Sequence, residues 1–103
     1  MIETVSAELD AVAALARKHG VARLFLFGSG ASGDFDDQRS DLDFLVEFKP
    51  APPREHANRY FALLEDLEGL FGRPVDLIEP GPIRNPYFRE ELERTKRVLY
   101  EAA

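Results

Sequence analysis

The sequence predicts an α/β (α+β) fold, a small mixed β-sheet with helices packed mainly on one face. Three observations predict it. Apolar residues recur at helical spacing in long segments, short apolar or alternating runs between them read as strands, and glycine or proline clusters separate the two kinds. With 103 residues, of which 45% are hydrophobic, the chain has material for one modest core, so residues 1–103 are expected to form one domain.

Val5, Leu9, Val12 and Leu15 form a helical stripe followed by Gly20, which predicts a first helix from about Ser6 to His19. Arg23 to Phe27 reads as a strand and leads into Gly28-Ser29-Gly30-Ala31-Ser32-Gly33. A second strand runs from Asp41 to Phe48 and stops before Pro50-Ala51-Pro52-Pro53, which cannot continue a ladder. Tyr60, Phe61, Leu64, Leu67 and Phe71 mark a second long helix from about Arg54, closed by Gly72. Val75 to Ile78 is a short strand between Pro74 and Pro80. Asn85-Pro86, a capping residue followed by proline at the first helical position, opens a third helix expected to continue through Phe88, Leu92 and Leu99. Tyr60, Phe61, Phe71, Phe88 and Leu92 are expected to pack on the sheet.

Composition narrows the chemistry. Cysteine is absent, which excludes disulfides, thiolate nucleophiles and cysteine-ligated zinc. The net charge of −6 leaves no surplus of Lys and Arg to displace counterions from a polyanion, so a nucleic acid is not the expected partner. No apolar run reaches membrane-spanning length and no secretory signal is visible, so the expected location is the cytoplasm.

The informative stretch is the glycine turn together with Ser40-Asp41-Leu42-Asp43. Backbone N–H groups of such a turn can face phosphate oxygens. Alternation along the second strand puts Asp41 and Asp43 on one face, opposite Leu42, Phe44 and Val46. Two like charges so placed repel unless a cation lies between them, and Mg²⁺ suits carboxylate oxygens. Alternation on the third strand likewise sets Asp76 apart from Val75 and Leu77.

Other readings of the turn are weaker. Gly28-x-Gly30-x-x-Gly33 fits a dinucleotide-binding pattern, but the polar stretch Asp34 to Arg39 leaves no room for a crossover helix. A P-loop fails because no Gly-Lys-Ser or Gly-Lys-Thr follows. Glycines alone, with a solvated acidic loop behind them, would be a plain turn. His19 and His56 are expected to be structural or surface groups, and the charges of the last helix a salt-bridged solvent face.

The ordered set of strand, Gly-Ser turn, Asp-x-Asp strand and later Val75-Asp76-Leu77 resembles the nucleotidyltransferase superfamily. The short chain resembles its minimal nucleotidyltransferases, or MNT proteins, over nearly its whole length. The resemblance implies a nucleotidyltransferase-like fold. It implies two Mg²⁺ ions held by Asp41, Asp43 and Asp76, and nucleotide contacts from Gly28 and Ser29. The family turn often carries a basic residue where this chain has Ser32, and Arg39 is a candidate to replace it. The implied reaction moves a nucleoside monophosphate, AMP from ATP or its equivalent from another nucleoside triphosphate, onto an acceptor hydroxyl. The implied partner is a HEPN-type toxin, with this chain as its antitoxin. Two alternatives stand beside this: a catalytically silent module that masks a partner, and a small-molecule nucleotidyltransferase of the aminoglycoside type.

Overall fold

A computed structural model describes residues 2–28, 31, 41–81 and 84–103. Helices α1 (Glu3–Ser6) and α2 (Leu9–Lys18) precede strand β1 (Val21–Phe27). Strand β2 (Leu42–Phe48), helix α3 (Pro53–Phe71) and strand β3 (Val75–Ile78) follow, and helix α4 (Pro86–Thr95) with strand β4 (Arg97–Glu101) closes the chain. The sheet has the order β3-β2-β1-β4. β1 runs antiparallel to both β2 and β4, whereas β2 and β3 are parallel. Parallel neighbours need a crossover, and the 19 residues of α3 provide it.

The predicted punctuation is observed. Gly72 ends α3 with φ 65°, a left-handed conformation that costs glycine little. Asn85 caps α4, its side chain accepting from the N–H groups of Tyr87 (2.9 Å) and Phe88 (3.3 Å), with Pro86 at the first turn.

Leu24 and Leu26 of β1, Leu42, Phe44 and Val46 of β2, and Val75 and Leu77 of β3 share one face of the sheet. Val5, Val12 and Ala16 from the N-terminal helices, with Leu63 and Leu67 from α3, bury it. The opposite face carries a smaller cluster of Phe25, Phe27 and Leu45, covered by Leu92 of α4, with Ile78 packed against it. Three of the four described helices therefore lie on one face, and α4 shields part of the other. Among the described residues no helix is long and apolar enough to cross a membrane.

Three sequence expectations need correction. The first helix is broken in two: Glu8 leaves helical geometry at φ −114° and ψ 17°, and the Ser6 hydroxyl donates back to the Glu3 carbonyl. Both pieces still bury an apolar residue, Val5 and Val12. The C-terminal helix stops at Thr95, because the following residues instead pair with the free edge of β1. Leu99 thus reaches the main core from a strand. Phe61 is 65% exposed and does not pack on the sheet, whereas Phe88, although 38% exposed, still sets its ring edge-on to Phe27. On α3 the buried stripe passes through Tyr60, Leu63, Leu64, Leu67, Leu70 and Phe71, which turns Phe61 outward.

Candidate active site

Asp43 stands one residue inside β2, with Phe27 of β1 as its ladder partner on one side and Asp76 of β3 on the other. Paired positions on adjacent strands project to the same face. Val75 and Leu77 are buried in the main core, so Asp76 is turned the other way, beside Asp43. The parallel register of β2 and β3 therefore joins two carboxylates that lie 33 positions apart in the sequence.

Gly28 closes the site on the β1 side. Its φ of 69° disfavours any L side chain, and a Cβ there would lie 2.8 Å from Asp43 Oδ2. The backbone conformation favours glycine, and a methyl group here would have to displace the Asp43 carboxylate. The Ala31 N–H donates to the Gly28 carbonyl at 3.1 Å, and Ala31 is anchored in the main core. The Gly28 N–H faces Thr95 Oγ1 at 3.4 Å, and the Thr95 hydroxyl donates to the Glu91 carbonyl at 2.9 Å. Thr95 is buried.

The electrostatics are those of a crowded anionic site. The Asp43 carboxyl is raised from 3.8 to about 7. Burial is the largest cause, followed by a hydrogen bond with Asp76 and the negative charges of Asp76 and Asp41. Asp43 projects from the sheet face that carries Phe27, its ladder partner, and Leu45, two residues along β2. A cation beside these oxygens would reverse the balance, and carboxylate oxygens are the donors that Mg²⁺ prefers.

Asp43, Asp76 and Gly28 are thus brought together. Asp41 lies exposed immediately ahead of β2, where its charge reaches Asp43. Among the described residues, no group of three or more histidine or acidic side chains is preassembled for a metal. Ser29, Ser32 and Arg39 lie outside the described residues. The histidines are engaged elsewhere: His19 Nε2 meets Asp66 Oδ2 and His56 Nε2 meets Glu79 Oε1, both at 2.6 Å. The last helix carries the expected ion pairs, Glu91 with Arg94 and Glu93 with Lys96. The sequence reading missed Thr95, since nothing in its local pattern separates it from any threonine near a helix end.

A family model described as the nucleotidyltransferase domain matches residues 10–99. A Methanocaldococcus jannaschii protein named "putative protein adenylyltransferase" is 37% identical over 79 residues, covering 77% of this chain and 76% of its own. The solved structure of a "putative minimal nucleotidyltransferase" superposes with a TM-score of 0.68 at 36% identity, over 92% of both chains. A chain in the complex of tri-AMPylated Shewanella oneidensis HEPN toxin with MNT antitoxin shares the fold, with a TM-score of 0.63 at 16% identity over 94% of this chain and 73% of that one.

Proposed function

This chain belongs to the nucleotidyltransferase domain family, and on that premise we propose that it transfers AMP from ATP to a hydroxyl of a protein acceptor, as the antitoxin of a HEPN toxin. The observation that carries the reading is the meeting of Asp43 and Asp76 across the parallel β2–β3 register, beside Gly28. The protein acceptor is supported by the name of the relative that is 37% identical, and the HEPN partner by the complex in which the fold recurs.

Asp41, Asp43 and Asp76 are the residues that would hold two Mg²⁺ ions. Such ions, when bound, would supply Lewis-acid polarisation of phosphoryl and acceptor oxygens. The hard oxygen donors fit a divalent cation, and so does an Asp43 carboxyl raised by burial and then by the neighbouring Asp76 and Asp41.

The chain's own groups do the rest. Gly28 lets backbone and carboxylate approach closely, so that phosphates at the turn stand next to the acidic pair. Ser29, Ser32 and Arg39 are assigned to the nucleotide. Asp76 is assigned as the group that would accept a proton from the incoming hydroxyl, a role that its greater exposure of the two paired carboxylates supports. Attack of that hydroxyl on the α-phosphorus expels pyrophosphate.

The test uses Mg²⁺ and ATP labelled at either the α or the γ phosphate, with a purified HEPN-type acceptor and source-cell lysate, and Asp43→Asn as control. Label arriving on protein from the α position alone is expected, and the variant should transfer none. Label from the γ position, or equal transfer by the variant, would overturn the assignment. If no label moves and the chain still captures the toxin, masking by binding replaces catalysis.

A further inference from the structure

We propose that Thr95 is a positioning residue for the triphosphate, holding the Gly28 amide in the orientation in which the phosphates meet it; this rests on the nucleotidyl-transfer reading above. Three features of Thr95 set it apart from an ordinary helix-end threonine. It is one of the two buried polar or charged side chains among the described residues. Its hydroxyl proton is committed to the Glu91 carbonyl at 2.9 Å, so Oγ1 can present only lone pairs to its surroundings. Those lone pairs face the N–H of Gly28, the residue that abuts the Asp43 carboxylate.

The geometry suits a guide better than a lock. At 3.4 Å the contact with the Gly28 N–H is long, so it orients the amide without competing strongly with a charged phosphate oxygen. Without it the amide would be part-buried with no acceptor, and Gly28 would rotate to find one. Rotation at Gly28 is cheap because the residue has no Cβ. The same rotation would also carry the backbone away from Asp43 Oδ2. Thr95 supplies, from 67 positions along the chain, an external restraint on Gly28.

α4 is held rigidly enough to act as that support. Leu92, one turn before Thr95, is buried against Phe25, Phe27 and Leu45, and Phe88 sets its ring edge-on to Phe27 at 6.0 Å. After Lys96 the chain enters β4, where Arg97 pairs with Leu26. Thr95 is therefore clamped between a packed helix and a paired strand, both anchored on β1, which ends one residue before Gly28.

The experiment compares wild type with Thr95→Val, which keeps the shape and removes the hydroxyl, and Thr95→Ser, which keeps the hydroxyl. Binding of α,β-methylene-ATP with Mg²⁺ is measured by calorimetry, and KM for ATP and kcat in the labelled-transfer assay. Thr95→Val should bind the analogue about tenfold more weakly and show a matching rise in KM, with kcat changed far less and Thr95→Ser close to wild type. Thermal melts establish that each variant is folded, and Thr95→Ala repeats the test if the valine disturbs packing. A folded Thr95→Val with wild-type affinity and KM overturns the role of Thr95 and leaves the transfer reading intact. Equal loss in the valine and serine variants also overturns it, since packing and not the hydroxyl would then be at work. A wild-type chain that neither binds the analogue nor transfers label overturns both.

Discussion

Replacing Asp43 by asparagine should abolish transfer and, in the metal-free protein, make the fold more stable at alkaline pH. The folded chain holds the Asp43 carboxyl at about 7, against an ordinary value of 3.8, chiefly through burial and then through Asp76. An unfolded chain gives up this proton near the ordinary value. Between about pH 4 and 7 the folded state therefore binds more protons than the unfolded state, and stability falls as pH rises through that window. The full cost is present above the folded value and absent below the unfolded one. A displacement of about three decades in proton affinity, at about 1.4 kcal/mol each, sets a ceiling of about 4 kcal/mol. The carboxyl is only half-buried, so solvent screening brings this down to the order of 1–2 kcal/mol. For a domain of this size that corresponds to a Tm higher by roughly 5–10 °C. The assay is thermal unfolding of both chains in chelator at a series of pH values. Asp43→Asn should melt above wild type near pH 8, with the gap closing in acid. A variant that melts at or below wild type at alkaline pH, or a gap that ignores pH, would refute the account of a carboxylate held against its own charge.

Adding Mg²⁺ should raise the wild-type Tm more at alkaline than at acidic pH, because the carboxylates must be ionised to bind it, and Asp43→Asn should lose most of this response. Gly28→Ala should destabilise the fold by about 1–2 kcal/mol from its left-handed backbone alone and abolish nucleotide binding, as measured by melting and calorimetry, because the new methyl group meets Asp43. Leu92→Ala, at a side chain only 3% exposed, should cost about 2–4 kcal/mol in denaturant unfolding, and by admitting water it should lower the Asp43 value seen by NMR titration. Asp66 is held below its ordinary value, first by the hydrogen bond with His19, so its contribution is present above the unfolded value and lost as pH falls through the folded one. Asp66→Asn should accordingly lower Tm at neutral pH and converge on wild type in acid.

The sequence by itself determined the local elements and the chemistry they could carry. Alternation in Leu42-Asp43-Phe44-Leu45-Val46 separated the carboxylate from the core face, Gly72 and Asn85-Pro86 marked helix ends, and Val75-Asp76-Leu77 set a further carboxylate apart. These are signals of period and backbone conformation, which residues carry with them wherever the chain goes.

Only the tertiary structure decided which of these elements touch. That β2 and β3 are parallel and in register at Asp43 and Asp76 depends on α3 crossing the sheet, and no short window of sequence encodes a register. The raised Asp43 value has the same origin, since it needs the apolar cluster on that face, from β1, β2 and α4, as well as the neighbouring charge. The residues after Thr95 continue a helical stripe in sequence, yet they form β4, because an open edge of β1 offers them a ladder of hydrogen bonds. Thr95 became legible only when that strand brought the end of α4 against Gly28. Local periodicity is a property of neighbours in the chain, whereas a site is assembled from neighbours in space, and the long-range pairings that join them exist only once the fold has formed.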